Sequence, residues 1–299
     1  MGTTAGTDAP TRVQQAPTQS PPPQSPPESP PESPPESPIQ SPIQSPPEQR
    51  TDTPARDPAE VSDNYPLIVT IDGPAGTGKS TVARLLADRL GPDFLDTGAM
   101  YRAAAAIAID RDHTEEVRAG EHGPFLDDVL DADLHFDWQA DPPEILAWLR
   151  PMKDRIREQD VGRFVSVVAA IGSLRKHMVQ KQRIIGHQHP RLVTEGRDQG
   201  SVVFPEAPVK FFLEARPEIR ADRRADQLHA AGKAADRDAL LEEIRERDHL
   251  DSTRPDGPLV CPDGAERLDT SDLSLDQVVD ALEASTRQRL AALDDIAFF

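Results

Sequence analysis

A single cysteine, Cys261, stands among 299 residues, which excludes an internal disulfide and any cysteine-built metal cluster; in its own stretch it reads as a loop residue. Aromatic residues make up only 4% of the chain, and residues 1–60 contain no Phe, Trp or Tyr. That stretch instead carries more than half of the 31 prolines, in a Ser-Pro-Pro-Glu-Ser-Pro phrase that recurs from Ser25 and drifts into Ser-Pro-Ile-Gln. A segment with so little to bury does not offset its own ordering entropy. Residues 1–64 are therefore expected to form a disordered, partly polyproline II tail. It reads first as an entropic spacer; a ligand for a proline-binding module or a substrate for Ser-Pro phosphorylation is the alternative, and its partner is not specified. Basic residues are outnumbered, 33 Lys and Arg against 52 Asp and Glu, for a net charge of −19. Such a balance argues against a nucleic-acid polymer or an anionic membrane as partner, but not against a local arginine cluster that grips a small phosphorylated molecule. No apolar run approaches membrane-spanning length, and the N-terminus lacks a basic-then-apolar signal pattern. Gly6 stands where the myristoylation pattern requires Ser or Thr. A cytoplasmic protein follows by elimination, and a monomer is expected.

What the chain does have is Gly73-Pro74-Ala75-Gly76-Thr77-Gly78-Lys79-Ser80, followed by Thr81. It fits the phosphate-cradle pattern G-x-x-x-x-G-K-[ST] at every fixed position. The apolar, β-branched run Leu67–Ile71 before it reads as a buried strand. After it, Val82, Leu85, Leu86 and Leu90 fall at helical spacing. Strand, glycine loop and helix start in that order surround a polyphosphate with backbone N–H groups and the positive helix end. Lys79 is expected on the β- and γ-phosphates, and Ser80 on a Mg²⁺ ion that arrives with ATP.

From about Tyr65 onward strand-like and helical runs alternate. Arg191–Thr194, Val209–Leu213 and Glu266–Thr270 are further strand candidates, with crossover helices between them, the pattern of a parallel α/β sheet. Ser274-Leu275-Asp276-Gln277 makes a capping box for a last helix lined by Leu275, Val278, Val279 and Leu282. Residues 112–160 interrupt the alternation with an acidic stretch in which 134–138 reads as a strand. His113, His122 and His135 there lack metal-ligand spacing and read as solvated.

Two phrases carry more selective chemistry. In Asp96-Thr97-Gly98-Ala99-Met100-Tyr101-Arg102, a helix from Ala99 onward would take Thr97 as its cap and bring Arg102 one turn further on, toward an anion. Glu195-Gly196-Arg197-Asp198-Gln199-Gly200 follows the second strand directly, and ligands of open α/β sheets bind beyond the carboxyl ends of strands. Arg197 is a candidate phosphate clamp and Asp198 a candidate acceptor for an amino group.

With Ile71-Asp72-Gly73-Pro74, these phrases resemble the bacterial cytidylate kinase family, a branch of the nucleoside monophosphate kinases, from about Pro66 to the C-terminus. The resemblance implies a P-loop NTPase-type three-layer α/β fold with a central parallel sheet. It implies a kinase domain over 65–299, with a nucleoside-monophosphate-binding insert at about 112–160 and an arginine-rich lid at about 216–238. The implied reaction is transfer of the ATP γ-phosphoryl group to CMP or dCMP. By the same resemblance Thr97, Arg102 and Arg197 bind the acceptor phosphate, Ser166, Arg175 and Asp198 read cytosine, and Arg247, Asp251 and Arg254 hold sugar and phosphate. Arg220, Arg223 and Arg224 would belong to the lid and act with Lys79 and Arg197 on the transferring group.

Spacing tests some of these assignments. Ser166 and Arg175 are on opposite faces of one unbroken helix, so they converge only if the helix breaks; Gly172-Ser173 offers a glycine stop and a serine cap. Arg247, Asp251 and Arg254 share one helical face, which alone would also suit a salt-bridge ladder. The sequence departs from the family at Glu195, where an aspartate is common, at Leu250, where a basic residue is common, and across 142–152. Two rival readings stay open: a kinase of another small acceptor (UMP or a metabolite), and a nucleotide-binding regulatory protein that works through its tail.

Overall fold

Strand β1 (Leu67–Asp72) is apolar and β-branched, almost wholly buried, and takes the centre of a five-stranded parallel sheet. The structure, a computed structural model, describes Gly2 and residues 67–297; the expected tail, Gly2 apart, lies outside the described residues. The chain divides into Met1–Ala55 and Arg56–Phe299, and every element below belongs to the second unit.

The other sheet strands are β2 (Asp93–Asp96), β6 (Arg191–Gly196), β7 (Val209–Glu214) and β8 (Glu266–Asp269), in the order β2-β6-β1-β7-β8 across the sheet. Three of them match the expected runs. The edge strand β2, only Asp-Phe-Leu-Asp, was not anticipated: four residues flanked by acids carry too little apolar alternation to read as a strand. Its pairing with β6 runs from Asp93↔Leu192 to Asp96↔Glu195. Pairing of β1 with β6 runs to Asp72↔Gly196, so the chain's phosphate-cradle loop and its Gly-Arg-Asp phrase leave the sheet side by side.

One face of the sheet is covered by α1 (Lys79–Leu90) and α9 (Leu275–Ala297). Val82, Leu86, Val278, Val279 and Leu282 pack there against Val69, Ile71, Val193 and Phe211. Each fully buried Leu, Ile or Phe contributes about 1.5–3 kcal/mol of transfer free energy. The capping box forms as expected, with Ser274 N donating to Gln277 Oε1 (2.9 Å) and Gln277 N to Ser274 Oγ (3.2 Å). The opposite face is covered by α2 (Thr97–Asp110) and α6 (Gly172–Gln188), with α5 (Gln159–Ala169) packed on α2. Ala103 to Ala106 and Ala108 on α2 are fully buried; their small side chains let neighbouring elements approach on all sides.

Between α2 and α5 the chain forms α3 (Thr114–Arg118), α4 (Gly123–Asp131) and an antiparallel sheet of β3 (His135–Asp137), β4 (Glu144–Ala147) and β5 (Arg150–Pro151). Phe125, Leu134 and Ile145 root it in the α2–α5 core. His113 departs from expectation. Its ring lies 2.7 Å from Asp128 Oδ2 and 3.1 Å from Glu116 Oε2, with its pKa raised, chiefly by the Asp128 hydrogen bond. It pins α3 to α4 instead of facing solvent. After β7 come α7 (Pro217–Ala230) and α8 (Arg237–Thr253); the lid expected at about 216–238 falls on α7 and the loop that leads into α8.

Candidate active site

Gly73, Gly76 and Gly78 all adopt positive φ. At Gly73 the close approach matters as well, because a Cβ would overlap the Leu213 carbonyl of β7. Gly78, at φ 89, turns the chain into α1, whose first N–H groups have no acceptor within the helix. Thr77 Oγ1 and Lys79 Nζ donate to Pro74 O, at 3.1 and 2.7 Å. Lys79 is only 4% exposed. Burial, with Arg197 nearby, pushes its ammonium down to about 7: the site holds a cation whose charge is not fully compensated by protein.

The Gly-Arg-Asp phrase is fixed by Asp72, the last residue of β1. Asp72 Oδ1 and Oδ2 accept the N–H groups of Gln199 (2.8 Å) and Gly200 (2.7 Å), at the head of a π-helical turn over Gln199–Val203. Burial pushes the Asp72 carboxyl up to about 7 against these two bonds. Arg197 Nε donates to Asp251 Oδ2 (2.9 Å). Its burial works against the charge, but Asp251 and Glu195 outweigh it and raise the Arg197 pKa. Arg175 Nη2 donates to Asp198 Oδ2, and Nη1 to Ala169 O (3.2 Å); both residues of this pair are 3% exposed.

The helix break that Ser166 and Arg175 need in order to converge is present, between Ala169 and Gly172, but by another device than expected. The N-cap of α6 is Ile171, without a side-chain cap, and Ser173 lies inside the helix. Thr97 is likewise not a cap. The N-cap of α2 is Asp96, whose side chain accepts from Ala99 N (2.9 Å), while Thr97 Oγ1 donates to Glu195 O (2.7 Å). Aspartate is the stronger N-cap residue of the two, and Asp96, the last residue of β2, stands directly before the helix.

A cleft of about 900 Å³ brings these groups together. Of the residues named from the sequence, Ala75 to Thr81, Thr97, Arg102, Ser166, Arg175, Arg197, Asp198, Arg220, Arg223, Arg224, Arg247, Asp251 and Arg254 all line it. Gly73 and Pro74 form the base of the loop behind it. Ten Lys and Arg side chains and seven carboxylates face the cleft, a local positive excess in a chain of net charge −19. Burial and Arg197 push the Arg247 guanidinium down to about 10, and burial with Arg175 lowers that of Arg254. Arg247 Nε, Arg254 Nη2 and the Tyr101 hydroxyl are buried here without a hydrogen-bond partner. Buried donors left unmade cost about 1–3 kcal/mol each, so the cleft is built for a polar, anionic occupant.

The three arginines of α7 differ from one another. Arg220 is 2% exposed and spends its donors on Ala215 O, Ala75 O and both oxygens of Asp248. Arg223 donates to Thr270 O (2.6 Å). Arg224 reaches only Gln227 Oε1 (3.4 Å). Arg157, Tyr101 and Asp96, to which the sequence assigns no role at the site, line the cleft too. The alternation Arg155-Ile156-Arg157 at the end of an acidic stretch was the available signal for the first.

For a divalent cation, the relevant oxygens are Ser80 Oγ, which donates to Glu195 Oε1 (2.8 Å), and the carboxylates of Glu195 and Asp96. Burial would raise the Glu195 pKa, but Lys79 and Arg197 hold it below the ordinary range. Burial and Glu195 push Asp96 up to about 6. Among the described residues no group of three or more His, Cys, Asp or Glu is arranged to hold a metal. A hard, oxygen-only donor set that needs further oxygens from a ligand suits Mg²⁺ on a polyphosphate.

A phosphate-cradling loop at the carboxyl edge of a parallel sheet, covered by helices on both faces, defines an α/β P-loop kinase fold. Residues 69–288 match the sequence model of the family described as cytidylate kinase, and the chain belongs to that family. A Mycobacterium leprae protein named cytidylate kinase is 42% identical over 229 residues, covering 76% of this chain and 98% of its own. Proteins of the same name from Corynebacterium glutamicum and Azotobacter vinelandii are 44% and 41% identical, over 72% and 75% of this chain and 92% and 96% of theirs.

Proposed function

We propose that the chain transfers the γ-phosphoryl group of ATP to CMP or dCMP. The observation that carries this reading is the single cleft in which the Lys79 loop faces both Arg197 and the Arg175–Asp198 pair. ATP would lie on Gly73 to Thr81. Lys79 would exchange Pro74 O for the β- and γ-phosphates, regaining full charge as it does so. Arg102, Arg197 and Thr97 would take the acceptor phosphate, with Arg247, Asp251 and Arg254 on the sugar. Ser166, Arg175 and Asp198 would read the base, Asp198 accepting from the cytosine amino group where uracil offers only a carbonyl.

An acceptor phosphate oxygen attacks the γ-phosphorus. The bond from that phosphorus to the β–γ bridging oxygen breaks, and its electron pair leaves with ADP. The attacking oxygen is already anionic near neutral pH, so no strong general base is needed. The difficulty is bringing two anions together, and the arginines serve this as fixed, largely desolvated positive charge. Mg²⁺, held by Ser80 together with ATP, would supply further positive charge to the β- and γ-phosphates. Arg224, the least engaged of the lid arginines, is best placed to move onto the transferring group; Arg220 and Arg223 would act from the positions they already hold.

A monomer acting on free nucleotides is part of this reading. No helix among the described residues is long and apolar enough to cross a membrane, and a cytoplasmic enzyme is the reading adopted. The test is CDP formation from ATP and CMP. Lys79→Ala and Arg197→Ala should lower turnover by about three powers of ten or more with unchanged circular dichroism. Parent-like turnover in either variant contradicts the assignment.

A further inference from the structure

Two glycines on separate elements leave room for one loop. Arg254 ends α8, and the chain then doubles back: Leu259 N donates to Asp251 O (2.8 Å), and Arg254 Nε to Gly257 O (2.6 Å). Gly257 has φ +57, and a Cβ there would overlap Arg175 Nη2 and stand 2.6 Å from Asp198 Oδ2. The loop backbone therefore rests directly on the buried Arg175–Asp198 pair. On its other side, Asp256 Oδ2 fills the space where a side chain on Gly172 would stand. Gly172 opens α6, whose N-cap offers no side-chain hydrogen bond, so a carboxylate over that helix end is electrostatically favoured.

We propose that Gly257, seated by Asp256 against Gly172, is a positioning residue for acceptor selectivity. It fixes where the Arg175–Asp198 pair presents its free atoms to the base. The inference rests on the reading that this pair recognises cytosine. Arg175 has the end of α5 at Nη1, Asp198 at Nη2, and the Gly257 backbone beside them. A methyl group at 257 would have to displace the guanidinium or the carboxylate. Discrimination between an amino group and a carbonyl depends on that placement, because a misaligned polar pair no longer penalises the wrong base.

The test uses the full-length chain and steady-state ADP release with CMP and with UMP, plus the KM for ATP and a thermal melt. Gly257→Ala should raise the KM for CMP and lower the CMP-to-UMP ratio of kcat/KM by about tenfold or more, with the KM for ATP within about twofold. Because the φ at 257 also disfavours alanine, a second variant approaches from the other side. Gly172→Ala, which pushes on Asp256, should lower the same ratio, and adding Asp256→Ala should restore it. A parent-like ratio in both single variants overturns the proposal. So does a loss shared equally by ATP and CMP with no rescue in the double variant, since that is a folding effect. If the parent chain itself fails to prefer CMP, the cytosine-reading assignment falls, and this proposal with it.

Discussion

Ser80 Oγ donates to Glu195 Oε1 across 2.8 Å, joining the first turn of α1 to β6 at a point 115 residues away in sequence. The glutamate orients the hydroxyl that would meet Mg²⁺, and supplies negative charge one atom behind it. Outer partners of this kind are typically worth about 10–100-fold in metal affinity or activity. Glu195→Gln, which keeps the shape and removes the charge, should raise the Mg²⁺ concentration for half-maximal ADP release by about tenfold. Glu195→Asp should recover most of the loss. An unchanged Mg²⁺ titration in the glutamine variant would separate Glu195 from the cation.

ATP binding should take up a proton. Lys79 titrates at about 7 in the nucleotide-free protein, so at pH 8 it is mostly neutral, and a polyphosphate beside it favours the charged form. Calorimetry at pH 8 in two buffers of different ionisation enthalpy should give an uptake approaching one proton. The uptake should shrink toward pH 6, where Lys79 is already protonated, and vanish in Lys79→Met. Equal binding enthalpies in both buffers at pH 8 would contradict it.

The same residue makes a stability prediction. Between about 7 in the folded chain and 10.5 in the unfolded chain, the unfolded state binds the extra proton, so the Lys79 contribution to stability rises with pH. Below about 7 both states are charged and the contribution stays at its least favourable. Lys79→Met should therefore gain most over the parent at or below pH 7 and lose that gain by about pH 10, read by urea unfolding without nucleotide. A gain that grows with pH would reverse the sign.

Arg220 and Asp248 tie α7, α8 and the phosphate loop together. Asp248 is the more exposed partner, with 27% of its side chain accessible against 3% for Arg220. Asp248→Ala strands a buried cation, whereas Arg220→Met leaves a carboxylate that water can reach. Urea unfolding should show Asp248→Ala costing about 3 kcal/mol and Arg220→Met less. The opposite order would mean that the ion pair does not hold α7 to α8.

The parts legible in the sequence were those set by short-range pattern. The loop from Gly73 to Ser80 announces itself because each glycine and the lysine is demanded by backbone geometry and charge. The Leu67–Ile71 and Val209–Leu213 strands and the Ser274 capping box follow from periodicity and local hydrogen bonding. What stayed hidden depends on partners distant in sequence. Asp72 holds the Gly-Arg-Asp turn through N–H groups 127 and 128 residues away, and Asp248 secures Arg220 across 28. Gly257 shows its meaning only against Arg175 and Asp198. Asp96 was visible as a motif residue, but that it caps α2 required knowing that β2 ends there.

The most direct measurement is ADP release by the full-length chain with CMP, dCMP, UMP and AMP compared at equal ATP and Mg²⁺. If the buried Asp198–Arg175 pair reads the base as proposed, CMP and dCMP turn over, with kcat/KM for UMP lower by about a hundredfold or more. Equal rates with CMP and UMP, or a preference for AMP, would contradict it.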